Sequence, residues 1–446
     1  MRASRKIILT LVAVAVLTAV VFGIRAAVNR ARQPADVVQQ QLESRPKIQT
    51  PADARVRAAQ GIIQRTPAQP AGYNLLAAAY MQKARETGDF SFNARAEAAL
   101  NEAGRVAPDD YDALKLRAKL LLTYHRFAEA LDAARRAQAL NSQDHDNYGA
   151  LTDALVELGR YDEAIESAQR MVDLRPDSAA YARISYLRHL HGDTEGAIEA
   201  MVVAIKAANP RDPEGVAWYY AQLGDELINA GRTKEADRAL SKALLIFPDH
   251  HAAFAGKGRA AVAAGDLAGA IKWYQRAQER VPLPDTAGAL GDLYVKLGRP
   301  DEARRQYEMV EFIEKASASG GTYSRQLAIF WADHDVKLDE ALAIAQGERA
   351  SRADIYTCDA LAWVLFKKGL PVEAKRAIDE ALRLGTRDAR INYHAALIYN
   401  ALGQRREAAD YLKRARAADS SLDVLLSDAA QKSLDAAFLR RSGWGR

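Results

Sequence analysis

Apolar residues recur along this chain in steps of three and four, stop, and start again. Between His145 and Ser178 it reads HDNYGALTDALVELGRYDEAIESAQRMVDLRPDS. Tyr148, Leu151, Leu155 and Leu158 fall on one face of a helix. Gly159 ends that helix, because glycine enters the left-handed conformation at little cost. Tyr161, Ala164, Ile165 and Ala168 open a second stripe, which Leu174 closes. Arg175-Pro176 ends it, since proline disfavours helical geometry in the residue before it. The pattern predicts a hairpin of two helices, A and B.

The hairpin is one of many. Ala96, Ala130, Ala164, Ala197, Ala236, Ala270, Ala303, Ala341, Ala374 and Ala408 follow one another in steps of 34, 34, 33, 39, 34, 33, 38, 33 and 34 residues. A glycine stands five residues before that alanine at Gly159, Gly192, Gly231, Gly265, Gly298, Gly369 and Gly403. Such a period means one unit stacked on copies of itself. Helices cross closely only where side chains are small. Ala164, Ala236, Ala270 and Ala374 are therefore read as contact points of helix B. Ala118, Gly224, Gly258, Gly291, Ala362 and Ala396 are the matching small residues of helix A.

The segments AQLGDEL…GRTKEADRALSKALLIFP (221–248) and GALGDLYVKLGRPDEARRQYEMV (288–310) carry the Leu-Gly and Gly-x-x-x-x-Ala pattern of a known family, the first also with its terminal Pro. In them the chain resembles the tetratricopeptide repeat (TPR) proteins, here of bacterial type with an amino-terminal membrane anchor. The resemblance covers roughly residues 49–419 and implies an all-α, right-handed superhelical solenoid of about ten hairpins. Three departures are expected as longer loops on one edge: KARETGDFSFN in the first unit, AANPRDPEG near 207–215, and EKASASGGTY near 314–323. The unit around 323–350 is degenerate, with Val336 where glycine is expected.

The amino end departs from this pattern. Residues 7–24, IILTLVAVAVLTAVVFGI, are an unbroken apolar run after Arg2, Arg5 and Lys6, long enough to span a hydrocarbon core. A cleaved signal peptide is the alternative; the run is long for one, and Arg25 follows it with no small-x-small site. The expected division is a basic end (1–6), a transmembrane anchor (7–28), a linker (29–50), the solenoid (51–419) and a carboxyl-terminal capping helix with a basic tail (420–446). Arg25, Arg30 and Arg32 nearly balance the charges before the run, so the positive-inside rule decides little. A short amino end usually stays inside, which would leave the repeats on the periplasmic or extracytoplasmic side of a single-pass protein.

Charge and composition narrow the partners. Residues 1–47 hold eight Lys/Arg and two acids, a balance of +6, against +5 for the whole chain, so the repeats carry about −1. The basic excess flanks the apolar run and suits anionic headgroups. A nearly neutral body argues against a phosphate-binding surface, so no nucleic acid is expected. Cys358 is the sole cysteine, which excludes an intramolecular disulfide and reads as a small buried hydrophobe.

No phosphate loop, GxSxG, HExxH or CxxC motif occurs, so no enzyme, cofactor or metal is expected. His189, His191, His250 and His251 are expected to be solvated, and Asp225, Asp292, Asp333 and Asp359 solvated or facing a ligand. TPR proteins hold peptides on the inner, helix A surface. That resemblance and the register place Tyr186, Trp218, Asp225, Arg259, Asp292, Tyr323, Phe330, Tyr356, Asp359, Trp363, Phe366, Tyr393 and Asn400 on a partner-binding groove, with Asp153, Glu157 and His189 also facing inward. The aromatics either line that groove or fill gaps between repeats. The chain thus reads as a non-catalytic, membrane-anchored scaffold for a protein or peptide partner. The alternative is an accessory or substrate-recognition subunit of an envelope enzyme or transport complex.

Overall fold

A computed structural model describes residues 51–317 and 324–418. The anchor and linker (1–50), the Ser-Gly stretch with Tyr323 (318–323) and the cap (from 419) lie outside the described residues. Among those described every element is a helix, and none is long and apolar enough to cross a membrane.

Helix α1 (Pro51–Arg65) leads. Hairpins follow as α2 (Pro70–Thr87) with α3 (Ser91–Val106), α4 (Tyr111–Thr123) with α5 (Phe127–Leu140), and α6 (His145–Glu157) with α7 (Tyr161–Leu174). Next come α8 (Ser178–Leu190) with α9 (Thr194–Ala207), α10 (Pro213–Asn229) with α11 (Thr233–Ile246), and α12 (His251–Ala263) with α13 (Leu267–Arg280). The rest are α14 (Pro284–Lys296) with α15 (Pro300–Ser317), α16 (Arg325–Asp333) with α17 (Leu338–Ser351), α18 (Ile355–Lys367) with α19 (Pro371–Ala381), and α20 (Ala389–Ala401) with α21 (Arg405–Ala418). These are the ten hairpins that the alanine spacing predicts.

The small residues sit where packing needs them. Ala164, Ala236, Ala270 and Ala374 of the B helices are fully buried, as are Ala118, Ala362 and Ala396 of the A helices. A Cβ at Gly224 would overlap Leu240, one at Gly258 the Tyr274 ring, and one at Gly291 the Tyr307 ring. Small residues on helix A thus seat large ones on helix B, and the close approach keeps the interior dense.

The first expected loop is mostly helix, with only residues 88–90 left as a turn, whereas the second keeps a loop over residues 208–212. The first insertion lengthens α2 to 18 residues, and the second is divided between the 208–212 connector and an α10 of 17 residues. KARET continues a helix, and an added turn satisfies its own backbone groups, whereas Pro210 and Pro213 keep the second stretch from joining the helix before it. The degenerate unit keeps its turn by substitution. Asp335 takes the left-handed conformation (φ 54°) that Gly159 (φ 71°) takes in its own unit, and His125 (φ 57°) does so after α4. Asp and His are among the non-glycine residues found there most often.

Six of the ten A helices start on an aspartate that accepts a backbone N–H. Asp110 accepts from Ala113 at 2.8 Å, Asp177 from Ala180 at 3.0 Å and Asp388 from Ile391 at 2.9 Å. His250 replaces it at α12, its Nδ1 accepting from the Ala253 N–H at 3.2 Å. The ring is buried, 4% exposed, and burial, with His251 beside it, holds its pKa down to about 4. This corrects the expectation of a solvated histidine: the site is a cap that only neutral imidazole can form. Its folded pKa lies below the unfolded value of 6.5, so its contribution is present above 6.5 and lost as pH falls toward 4. The loss is on the order of 3 kcal/mol. His250→Asn keeps an acceptor without titrating, so its urea midpoint should fall less than the parent's between pH 6.5 and 4. Parallel losses in the two proteins would refute this.

The hairpins coil back on themselves. The Ala353 N–H donates to the Glu157 carbonyl at 3.1 Å, and the Ile355 N–H to the Tyr161 hydroxyl at 2.9 Å, across 194 residues. Buried residues of α4–α8 and α18–α21 share one hydrophobic cluster, from Ala118 through Leu190 and from Ile355 through Ala408. The A–B turns of the first coil therefore lie against the B–A connectors of the second. A Cβ at Gly88 would meet Val281, at Gly159 the Ala353 carbonyl, and at Gly192 the Gly385 carbonyl. Gly265, Gly298, Gly369 and Gly403 face open space on the free edge.

Candidate functional site

The A helices form the inner wall, and polar side chains tie each to the next. Arg183 grips Asp153 with two hydrogen bonds of 2.8 and 2.6 Å. Asp225 pairs with Arg259. Asp292 accepts from the Tyr307 hydroxyl at 2.8 Å and contacts His334 Nε2 at 3.0 Å. Trp363 Nε1 donates to Asp333 at 2.7 Å, and Asp359 contacts His394 Nδ1 at 2.8 Å. The four aspartates expected to be solvated or ligand-facing are thus engaged by the neighbouring repeat. Burial raises the pKa of Asp225, opposed by Arg259, and raises that of Asp333.

His189 is not solvated either. Its Nδ1 meets Glu226 at 2.9 Å and its Nε2 meets the Tyr356 hydroxyl at 3.2 Å, on the next coil. Burial pushes its pKa down, but Glu226 more than offsets this and the net shift is upward.

The predicted groove residues separate into two groups. Trp363 is 5% exposed, stacked 4.0 Å from the His394 ring and near Phe366 and Tyr393, so these aromatics fill the joints between repeats. Tyr393 is also buried, Phe330 packs against Tyr307 and His334, and Asn400 is half-buried. Tyr323 lies outside the described residues. Tyr186 and Trp218, by contrast, keep 41% and 40% of their surface. Trp218 stands seven residues before Asp225 on α10, on the same helix face. The Tyr186 pKa is raised by burial although its ring is exposed. The two observations agree if the ring opens into a hollow enclosed by the coil.

That hollow is visible at the seam between coils. A cavity of about 260 Å³ is lined by Thr152, Asp153, Val156, Glu157, Arg183, Tyr186 and Leu187. A second of about 230 Å³ shares Asp153 and Glu157 and adds Leu122, His125, Phe127, Arg325, Gln326 and Arg352. Arg352, 5% exposed at its side chain, reaches Asp354 at 2.9 Å, Glu157 at 3.2 Å and Glu348 at 3.6 Å. Arg325 pairs with Asp354 at 2.7 Å. Burial would raise the Asp354 pKa, but Arg325 and Arg352 bring it below normal. Burial raises Glu157 and Glu348 despite Arg352.

Arg325, Arg352 and Asp354 were not legible as site residues. Arg352-Ala353-Asp354 looks like any polar connector, such as Arg175-Pro176-Asp177, and only the coil closure brings it to Glu157. Cys358 is fully buried, with its pKa raised by desolvation, as its reading as a small hydrophobe requires. Among the described residues no cluster of His, Cys, Asp and Glu could hold a metal ion.

Comparison with known proteins agrees with this architecture. Tetratricopeptide repeat profiles match residues 150–213, 222–283 and 389–420. No curated protein matches the chain. Among solved structures, a chain of the APC/C hetero-tetramer Cut9–Hcn1 is similar at 15% identity and TM-score 0.38, covering 91% of this chain and 95% of that one. Human IFIT1, solved as a dimer with m7Gppp-AAAA, is 15% identical with TM-score 0.49, covering 74% and 77%. A tetratricopeptide repeat protein of Parabacteroides merdae is 18% identical with TM-score 0.33, covering 59% and 98%. At these identities and scores none of the three speaks to function. At residues 150–213, 222–283 and 389–420, within hairpins of this geometry, the chain carries tetratricopeptide repeats.

Proposed function

We propose that this protein is a non-catalytic interaction scaffold that holds an extended peptide or protein segment along the inner wall of its coil. Repeats of this kind generally mediate protein–protein interactions and are typically non-catalytic. The observation that carries the reading is the pair Tyr186 and Trp218, large aromatics left about two-fifths exposed on the inner wall. Exposed aromatics bury much area for little lost entropy, which suits them to anchor a partner. The apolar run at 7–24 would tether the scaffold to a membrane with the repeats on the extracytoplasmic side, and the near-neutral repeats favour protein over nucleic acid. An accessory role beside an envelope enzyme remains the second reading, since any chemistry would come from another chain.

The test is affinity capture from solubilised membranes by the full chain and by a Tyr186→Ala/Trp218→Ala double variant. The double variant is expected to lose partners while its melting temperature stays within a few degrees, because both side chains are exposed. Undiminished capture would remove the aromatic groove from the account.

A further inference from the structure

The seam uses one edge of each coil and leaves the other edge free. Within the chain, A–B turns of the first coil meet B–A connectors of the second. A Cβ at Gly88, Gly159 or Gly192 would overlap Val281, the Ala353 carbonyl or the Gly385 carbonyl. Leu158, next to Gly159, packs against the cluster that the two coils share. The turns of the second coil repeat these left-handed glycines at Gly265, Gly298, Gly369 and Gly403. There a Cβ would have no described atom within 4 Å.

That open edge is apolar. Val295 and Leu297 at the α14–α15 turn, Val336 at the α16–α17 turn, and Leu370 and Val372 at the α18–α19 turn keep 36–56% of their surface. Leu297 holds the position before its glycine that Leu158 holds in the seam. Single exposed apolar residues are ordinary, but five on three adjoining turns form a patch that suits a partner. Beside them Arg299 pairs with Glu302, Lys337 with Glu311 and Lys368 with Asp339. These cations are already matched, so the patch fits protein better than an anionic surface. The first coil carries the complementary edge. Its B–A connectors take no part in the seam contacts above, and Leu140 and Leu245, at the ends of α5 and α11 beside two of them, are exposed.

We propose that the open turns of the second coil seat the first-coil connectors of another copy of this chain, continuing between copies the contact that the seam makes within one. What fits a turn edge of this protein is visible inside it, and each copy carries both edges. The contact is heterologous, so every added copy leaves one turn edge and one connector edge free. It does not rest on the groove reading, because Tyr186 and Trp218 lie on the inner wall.

Sedimentation velocity of the full chain in mild detergent, over about a hundredfold range of concentration up to about 100 µM, tests this. The sedimentation coefficient should climb past that of a dimer without levelling off. Leu297→Glu/Leu370→Glu and Leu140→Glu/Leu245→Glu should each weaken association by about tenfold or more, with melting temperatures within a few degrees of the parent's. Mixed together, the two variants should form dimers and nothing larger, since one intact edge of each kind remains. Tyr186→Ala/Trp218→Ala should associate like the parent, which separates this contact from the groove. If one variant does not fold, the other and the open-ended growth of the parent decide. A parent that stays monomeric or stops at a dimer would overturn the proposal. So would association that survives both double variants, which would belong to the apolar run, or folded variants that fail to pair when mixed. A monomeric parent destabilised by Leu297→Glu/Leu370→Glu would instead mean that the chain's own residues cover the patch.

Discussion

Gly159→Ala is expected to destabilise the coil by about 2–5 kcal/mol, and Gly298→Ala by only about 1–2 kcal/mol. Both glycines have left-handed backbone, φ 71° and 69°, so each substitution carries the strain of a Cβ in that region. What separates them is the far side of the turn. At Gly298 a new methyl meets open space, while at Gly159 it overlaps the Ala353 carbonyl. That carbonyl also accepts from Arg383 Nη2 at 2.6 Å, and the Ala353 N–H is bonded to Glu157, so the connector cannot retreat without breaking both. Urea midpoints would give the energies. Small-angle scattering should show Gly159→Ala larger in radius of gyration as the coils part. Equal losses in the two variants would mean that the coils do not touch at this point.

The second large effect is expected at Arg352. Arg352→Met keeps the stem over the Phe127 ring, 4.9 Å from the guanidinium in the parent, but removes the cation facing Glu157, Glu348 and Asp354. Removing one partner of a buried ionic cluster costs about 3–5 kcal/mol, because the remaining charges stay buried and uncompensated. The pH dependence identifies the cause. Glu157 and Glu348 have folded pKa values raised above 4.5, so they favour the folded state fully below 4.5 and lose that contribution as pH rises through the folded values. Asp354 has the opposite sign: its folded pKa is below 3.8, and its contribution is lost as pH falls through the folded value. Without Arg352 the glutamates are pushed up further. The deficit of Arg352→Met should therefore shrink as pH is lowered from 7 toward 5, where they accept protons. A deficit that is constant with pH would assign the loss to packing instead of charge.

Local features were legible because they obey short-range rules. Helix A of the third unit follows from Tyr148, Leu151 and Leu155, its end from Gly159 and its partner helix from Tyr161, Ala164 and Ala168, all within one period. The first insertion was misread because extra residues at a helix end are compatible with either loop or helix. His125 and Asp335 escaped notice because the backbone conformation they adopt is one that glycine signals and they do not.

The groove was legible as a face and not as a site. Register alone places Tyr186 and Trp363 on equivalent inner positions, yet one is 41% exposed and the other 5%. The difference comes from His394 and Tyr393, contributed by the next repeat, which cover Trp363. Asp225 and Asp359 looked available for the same reason: their partners Arg259 and His394 stand about one period away, and no local pattern pairs them.

By itself the sequence determined the unit, its period and the number of hairpins, because apolar spacing, small contact residues and helix stops act over a few residues at a time. Only the tertiary structure decided that the coil meets itself, that Arg352 joins Glu157 across the seam, and that a hollow remains beside Tyr186. The pitch of a solenoid accumulates from a small rotation at each repeat interface. A few degrees per hairpin, set by packing across many side chains, separate an open groove from a coil closed on itself.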